Sequence, residues 1–248
     1  MMILWELYAP RRKLNYARKI RWFSNISLSI INTFLVRFTL GAAAYLTAVT
    51  ALEQGWGLLN LVSLPSWLSL VIAIVVLDLA IYGQHTASHQ WSWLWRLHKV
   101  HHSDLDIDVT TAVRFHPAEI FLSMIYKVVC VAILGANPTA VIIFEMILSS
   151  CALFNHSNIA IPQKVEAVIR LFIVTPDMHR VHHSVIRSET DSNYGSSISI
   201  WDRLFGTYID QPQTGHINMA IGLAEYKKLD DTALNRLLLM PLKSDRGL

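Results

Sequence analysis

Charged residues are scarce in this 248-residue chain. Aspartate, glutamate, lysine and arginine make up only 16% of it, whereas hydrophobic residues make up 53%. A soluble domain carries about 25% charged residues, so the deficit indicates a membrane protein. The net charge is only +3, and no basic patch with interleaved aromatic residues occurs beyond the N-terminal segment. Both observations argue against nucleic acid as a partner.

Cysteine is almost absent, with Cys130 and Cys151 the only two. Both lie in apolar stretches. A hairpin turning near Asn137 would place them about 10 Å apart in depth at the helical rise, which exceeds disulfide reach. Two cysteines in apolar helices also cannot supply the thiolates of a zinc finger.

Several catalytic signatures are missing as well. The chain contains no His-Glu-x-x-His, no Glu-x-x-His, no Gly-x-Gly-x-x-Gly and no Cys-x-x-Cys-His. It therefore lacks the marks of a zincin protease, a soluble carboxylate di-iron bundle, a flavin or nicotinamide site, and covalent haem attachment.

Long apolar runs are what the chain does have. Four of them are candidates for membrane helices, at about 26–52, 67–83, 118–134 and 139–154. Turn signals pair these runs into two hairpins. We therefore predict an all-α integral membrane protein with about four transmembrane helices, forming a single membrane domain over residues 1–248.

The basic residues predict the orientation of this domain. Residues 1–24 mix arginine and lysine with aromatic residues, as suits an interfacial segment on an anionic membrane surface. The turns at 51–57 and 135–138 carry no lysine or arginine. The positive-inside rule then places both termini, and a histidine-rich helical cap over residues 155–248, in the cytoplasm. The transmembrane hairpins with their inserted histidine motifs occupy 26–154. Short tails without an ER-retrieval signal favour a bacterial inner membrane over the endoplasmic reticulum.

Four charged residues interrupt the predicted spans. Counted from the turns, Arg37 and Asp78 lie at similar depths in the first hairpin, and Lys127 and Glu145 do so in the second. Because isolated charges are costly inside a membrane, we predict that each pair forms an ion pair within the bundle. The alternative is that Arg37 and Lys127 extend to an interface.

Histidine is unusually frequent and clustered: ten of the eleven fall between residues 85 and 183. His85 and His89, four residues apart, share one face of a helix and can reach one metal ion. His98 faces both His101 and His102, while that adjacent pair diverges by about 100° of helical rotation. One such motif can therefore serve two metal ions.

The same His-x-x-His-His spacing recurs at His179, His182 and His183. An even number of membrane crossings separates the histidine clusters, so all of them emerge at the same face. Several neutral imidazoles can hold divalent iron, zinc, copper or nickel without added anions. We interpret the clusters as a metal site, and expect His216, which lies outside them, to be an ordinary polar residue.

These motifs resemble the fatty acid hydroxylase/sterol desaturase superfamily over roughly residues 80–210. The resemblance includes the three histidine motifs in family order and the segments 114–117, 154–158, 175–184, 193–195 and 201–208. It implies a helical membrane di-iron oxygenase that uses O2 to hydroxylate or desaturate a lipid, such as a sterol or a fatty acyl chain. It further implies two non-haem irons ligated by histidines.

The ligands that the resemblance implies are His85, His89, His98, His101, His102, His156, His179, His182 and His183. Some family members carry a His-x-x-x-His pair around the position of His156, but residues 152 and 160 are alanine here. A tenth ligand is therefore open. The candidates for it, or for a group that orients a ligand, are His116, Asp78 and Asn155, with His116 favoured as an orienting group. Residues 201–208 are expected to pack the cap.

Electrons for O2 reduction are expected from an external reductase, ferredoxin or cytochrome, because the chain has no cofactor signature of its own. Three alternatives remain at this stage. They are a zinc-dependent lipid hydrolase or isomerase, a metal transporter or sensor with ligands near the midplane, and a bis-histidine haem protein. The lipid, and the choice between hydroxylation and desaturation, stay open.

Overall fold

Helices make up the regular structure of this protein. The computed structural model describes residues 1–243, and within that range it contains no β-strand. The α-helices are α1 (Met2–Tyr8), α2 (Arg18–Thr39), α3 (Ala43–Gln54), α4 (Ser66–Gln90), α5 (Ser92–His102), α6 (Pro117–Leu134), α7 (Pro138–Asn155), α8 (Gln163–Ile169), α9 (Pro176–His182), α10 (Arg187–Thr190), α11 (Ile200–Leu204), α12 (Gly215–Asn218) and α13 (Leu234–Leu239). Short 3-10 turns lie at Leu58–Asn60, Val109–Val113, Leu229–Thr232 and Met240–Leu242.

Four stretches are long and apolar enough to cross a membrane: Arg18–Asn60, Ser66–Gln90, Pro117–Leu134 and Pro138–Asn155. The predicted all-α fold with four membrane spans is therefore confirmed. Cys130 and Cys151 are both free, as expected.

The first predicted span differs in detail, because it is not one continuous helix. Helix α2 ends at Thr39 and α3 begins at Ala43. Between them Gly41 adopts φ +46°, a left-handed conformation that glycine reaches without strain and that interrupts a right-handed helix. The second span is longer than predicted, since α4 continues to Gln90 and carries His85 and His89 on its last turns.

The two hairpins pack tightly at the end of the bundle away from the histidines. A Cβ atom added to Gly57 would lie only 2.3 Å from the Cα of Gly135, so the two turns touch backbone to backbone. Asn60 strengthens the contact by donating through Nδ2 to the carbonyl of Trp56 at 2.8 Å and to that of Gly135 at 3.3 Å. Small residues such as Ala48 line the core behind these turns, and they let membrane helices approach closely.

One of the two predicted intramembrane ion pairs forms. Lys127 Nζ lies 2.7 Å from Glu145 Oε1, which confirms that pair. The Arg37–Asp78 pair is wrong, because Arg37 is exposed and Asp78 accepts hydrogen bonds from Trp201 Nε1 at 2.8 Å and from the backbone N–H of Ile198. The cap therefore reaches down to α4 and donates hydrogen bonds to Oδ2 of Asp78 in place of the arginine.

Several charged side chains of the N-terminal segment pack on the cap or on the chain after α5. Arg11 pairs with Asp177 at 3.0 Å. Arg12 donates to the carbonyl of Met219, and Arg21, which lies inside α2, is fully buried against Asp104. These arginines are held by protein partners, which differs from the expectation that they face anionic lipid.

Candidate metal centre

Four helices bring the predicted ligands together. Helix α4 carries His85 and His89, α5 carries His98, His101 and His102, His156 caps the end of α7, and α9 with the residue after it carries His179, His182 and His183. The residues at the start of α9 favour a helix that begins there. Pro176 occupies its first turn, and the Thr175 hydroxyl accepts from the N–H of Met178, a standard N-cap.

The nine histidines form two groups, in each of which one ligand atom per residue lies within 4.8 Å of the others. The first group contains His85, His89, His98, His102 and His182, and the second contains His101, His156, His179 and His183. Neighbours in sequence fall in different groups, His101 apart from His102 and His182 apart from His183. This is the divergence that the helical rotation of adjacent residues predicts.

Protein contacts hold the Nδ1 atom of four of the five rings in the first group; within residues 1–243, Nδ1 of His102 has no partner. The Nδ1 atom of His85 lies 2.7 Å from the carbonyl oxygen of Tyr194, and that of His182 lies 2.7 Å from the carbonyl of Ser192. A carbonyl only accepts, so these rings donate from Nδ1 and keep a lone pair on Nε2. Nδ1 of His98 lies 2.6 Å from Glu119, and Nδ1 of His89 lies 3.2 Å from Asp191.

The buried Nε2 atoms of this group lack protein partners. Among residues 1–243, none bonds to Nε2 of His89, His98, His102 or His182. A buried polar atom without a partner is unfavourable. Four such atoms in one cluster therefore fit a metal ion.

The second group gives the stronger geometric argument. His101 Nδ1 lies 3.3 Å from the carbonyl of Arg114, and His156 Nδ1 lies 2.7 Å from that of Ala152. Both rings therefore donate from Nδ1, yet their Nε2 atoms face each other at 3.1 Å. Two lone pairs cannot hydrogen-bond to each other. Ligand nitrogens at right angles around one ion, each about 2.1 Å from it, would lie about 3 Å apart, so the donor set fits a metal.

The protonation state of the rings suits a metal as well. Burial, followed by the neighbouring rings, lowers the pKa of His101, His179 and His183 well below its ordinary value. The same cause lowers the pKa of His156 to about 4. These imidazoles are therefore neutral near pH 7, which is the form that binds metal ions.

A cavity of about 420 Å³ adjoins both groups. It is lined by His85 and His98 from the first group and by three rings from the second, and it continues between α2, α4, α6 and α7. Thr33 of α2 and Ser149 and Leu153 of α7 line it and are exposed. The cavity therefore opens on the side of the bundle between these two helices, where an apolar molecule could enter from the bilayer.

Comparison with known proteins identifies the family. The sequence profile described as fatty acid hydroxylase matches residues 70–207 of this chain. The chain belongs to the fatty acid hydroxylase family. This match contains all nine clustered histidines, and it confirms the resemblance that their spacing carries.

Named relatives of the family are lipid hydroxylases and monooxygenases. Ornithine lipid hydroxylase OlsE of Rhizobium tropici is 28% identical over 63% of this chain and 46% of its own length. Human alkylglycerol monooxygenase is 28% identical over 62% of this chain and 34% of its own. The chain thus spans less than half the length of these two relatives. A cholesterol 25-hydroxylase-like protein of Danio rerio is 26% identical over 79% of this chain and 77% of its own length. No solved structure matches the chain significantly.

The three further candidates do not join the ligand groups in this family member. His116 caps α6 by accepting from the N–H of Ala118, and its Nε2 lies 3.2 Å from the carbonyl of Leu238. Asp78 is held by Trp201, and Asn155 donates to the carbonyl of Ser196 at 2.9 Å. His216, expected to be an ordinary polar residue, also lies outside both groups.

Sequence reasoning missed the groups that contact the rings from outside. Glu119 and Asp191 lie 21 and 102 residues from their histidines, so no local spacing relates them. The segment 193–195 carries part of the family resemblance, but its sequence does not indicate a role. Its Tyr194 carbonyl contacts His85, and its position is set by Asp202, which accepts from the N–H groups of Tyr194 and Gly195.

Buried arginines and an aspartate hold the chain that follows α5. Asp104 accepts from Arg21 at 2.5 Å and 2.9 Å, and Arg114 donates to the carbonyl of Val100. Although burial raises it, the two arginines lower the pKa of Asp104 to about 2, so this carboxylate stays charged. The network fixes the backbone of Arg114, whose carbonyl contacts His101.

Proposed function

We propose that this protein is an O2-dependent lipid hydroxylase that binds two iron ions, one in each group of histidines. The observation that supports this most directly is the opposed pair of Nε2 lone pairs on His101 and His156, which a metal ion between them would satisfy. The five histidines of the first group and the four of the second would be the ligands.

The names of the related proteins favour iron over zinc. Imidazole suits both metals, but zinc has no redox chemistry. The relatives of this family are named hydroxylases and monooxygenases, and such reactions transfer electrons to O2. Two bound irons would supply O2 activation and the oxidation of a C–H bond.

The residues of the chain would orient the metal-binding rings, exclude water and bind the lipid. The contacts from Glu119, Asp191 and the carbonyls of Ser192 and Tyr194 hold the rings of the first group in place, as groups behind metal-binding histidines commonly do. The buried histidines exclude bulk water from the centre. The cavity between α2 and α7 would admit the lipid.

Substrate, electron donor and orientation belong to the same proposal. The related proteins are named for ornithine lipid, alkylglycerol and cholesterol, so we propose a membrane lipid with hydroxylation as the reaction. Electrons would come from a separate reductase, ferredoxin or cytochrome. The histidine groups would face the cytoplasm, since the basic residues cluster on their side.

The alternatives find less support. A transporter would place its ligands near the midplane, whereas these histidines lie on the last turns of α4, at the end of α7 and beyond. A bis-histidine haem site needs two opposed rings with a flat gap, and its Soret absorption would reveal it. A zinc hydrolase would consume no O2.

The test is isotope incorporation from O2. The iron-loaded protein, supplied with a reductase, ferredoxin and a membrane lipid extract under ¹⁸O2, is expected to yield a lipid that contains one ¹⁸O atom. His183→Ala should abolish the product, while Glu225→Gln, at an exposed position, should not. A product labelled only from water, or O2 consumption at the level of the His183→Ala variant, would contradict the proposal.

A further inference from the structure

The cavity beside the histidines also reaches an ion pair deep in the bundle. Both Lys127 of α6 and Glu145 of α7 line it, and their Nζ and Oε1 atoms lie 2.7 Å apart. Charged residues inside a membrane span are expensive and generally serve a function. The pair is therefore a candidate binding group for part of a ligand in this cavity.

The ion pair lies well away from the histidines. Helix α6 rises about 12 Å over the eight residues from Glu119, which contacts His98, to Lys127. Helix α7 and its cap rise about 16 Å over the eleven residues from Glu145 to His156. A ligand that touches both places must be elongated, with a polar group at the far end.

The lining surface of the cavity is mostly apolar, although Gln84, Ser123 and Ser149 also line it. It includes Ile81 of α4, Ile120 of α6 and Leu148 of α7. Binding pockets of this kind are mostly apolar, with a few polar groups that orient the ligand. Hydrocarbon would therefore fill the middle of the cavity, and the ion pair would fix one end.

The ion pair has unused hydrogen-bonding capacity. An ammonium has three donors, and a carboxylate accepts at several lone pairs. Within residues 1–243, the Lys127 ammonium and the Glu145 carboxylate make a hydrogen bond only to each other. Glu145 retains 36% exposure of its side chain, which leaves room at the cavity wall for a ligand atom.

The charge balance identifies the chemical group. The pair is neutral as a whole, so a carboxylate or an ammonium on the ligand would leave a net charge in a poorly solvated place. A hydroxyl adds no charge, and it can accept from Lys127 while it donates to Glu145. We propose that the Lys127–Glu145 pair binds a hydroxyl group of the lipid and so determines which carbon lies at the histidines. This rests on the proposed lipid hydroxylase function.

Competition for a photoreactive probe would test the proposal. The probe is hexadecanol with a diazirine at the end of its chain, and its cross-links to cavity residues in the full-length protein are quantified by mass spectrometry. Hexadecanol, hexadecyl methyl ether and hexadecanoate serve as competitors. In the wild type, hexadecanol is expected to compete at about tenfold lower concentration than the ether, equivalent to about 1.4 kcal/mol, and hexadecanoate no better than hexadecanol.

The decisive variant is the double substitution Lys127→Met/Glu145→Leu. Replacing both members of the ion pair by apolar residues avoids leaving one charge without its partner. Hexadecanol and the ether should then compete within about twofold of each other. Arg37→Met, which removes an exposed charge outside the cavity, should keep the wild-type preference. Elution volume and metal content serve as checks that each variant is folded.

Two results would overturn the proposal: equal competition by hexadecanol and the ether in the wild type, or a preference that persists in the double variant. Hexadecanoate as the best competitor would overturn the hydroxyl assignment in favour of an anionic group. The preference needs no turnover, so it is separable from the enzyme function. A preference in protein that incorporates no ¹⁸O would support this inference and contradict the hydroxylase, and iron-loaded, active protein without the preference would do the reverse.

Discussion

The group that faces Nδ1 of a histidine determines the orientation and the tautomer of its ring. Where Nδ1 faces a backbone carbonyl, as in His85 and His156, the tautomer is fixed by the fold alone. Where it faces a carboxylate, as in His98 with Glu119, a substitution can change the contact. The carboxylate also raises the basicity of the opposite nitrogen, so it affects both the orientation and the strength of a ligand.

Glu119→Ala is therefore expected to weaken iron binding. Loss of the contact to His98 Nδ1 should lower iron affinity by about ten- to a hundredfold, measured as iron retained during titration with a chelator. Glu119→Gln keeps an acceptor for the ring and should lose less. Glu225→Ala, at an exposed position, is the control. Equal iron retention in Glu119→Ala and wild type would exclude this role.

Burial of Glu6 is expected to make the stability of the protein depend on pH. Burial raises its pKa to about 7, despite hydrogen bonds from the N–H groups of Asn158 and Val109. The folded state therefore favours the protonated carboxyl. Its contribution is fully present below the unfolded pKa of about 4.5 and is lost as pH rises through about 7, by about 3 kcal/mol in total.

Glu6→Gln should remove this dependence, because the amide stays neutral and its oxygen can still accept both bonds. The midpoint of detergent-induced unfolding is compared at pH 5 and pH 8 in the two proteins. Histidines titrate in both, so the difference between the proteins isolates Glu6. The variant should lose less stability than wild type on going to pH 8. Parallel pH curves would refute the assignment.

At the scale of elements, close backbone approach between the two hairpins holds the bundle together. Gly57 and Gly135 both have positive φ, +94° and +65°, and each stands where the other leaves no room for a Cβ. The apolar runs and turn signals predicted these hairpins. Their contact was not predictable, because no local pattern relates two turns about eighty residues apart.

Gly135→Ala is expected to destabilise the bundle. Its new Cβ would lie 2.7 Å from the carbonyl oxygen of Trp56, and the left-handed backbone adds strain of about 1–2 kcal/mol. Gly83→Ala is the matched control, since that Cβ meets nothing within 4 Å and alanine favours a helix. Detergent unfolding should show a loss in the first variant and none in the second. Equal stability of the two variants would contradict the packing.

Features that depend on contacts between distant segments could not be predicted from the sequence. Spans and histidine motifs are local patterns, so the four spans and the sharing of adjacent histidines between two groups could be predicted. The break at Gly41 and the bond from Trp201 to Asp78 depend on tertiary context. Equal depth predicted an Arg37–Asp78 pair, but depth alone does not tell which side of a helix a residue faces.

At the scale of the whole molecule, the bundle and the cap meet at the histidines. Helices α4 and α7 contribute rings from the membrane spans, α5 contributes them from the segment after α4, and α9 contributes them from the cap. The cavity connects this junction to the interior of the bundle. Under the proposed function, a lipid would reach the buried site through this cavity without leaving the bilayer.

Metal stoichiometry with one variant in each group tests the central claim most directly. After reconstitution with ferrous iron, the wild type should hold about two irons per chain, measured by elemental analysis and Mössbauer spectroscopy. His102→Ala should weaken the site of the first group, and His183→Ala that of the second, so that each variant retains close to one iron in a different environment. Two zinc ions with no iron, no bound metal, or two irons unchanged in both variants would contradict the account.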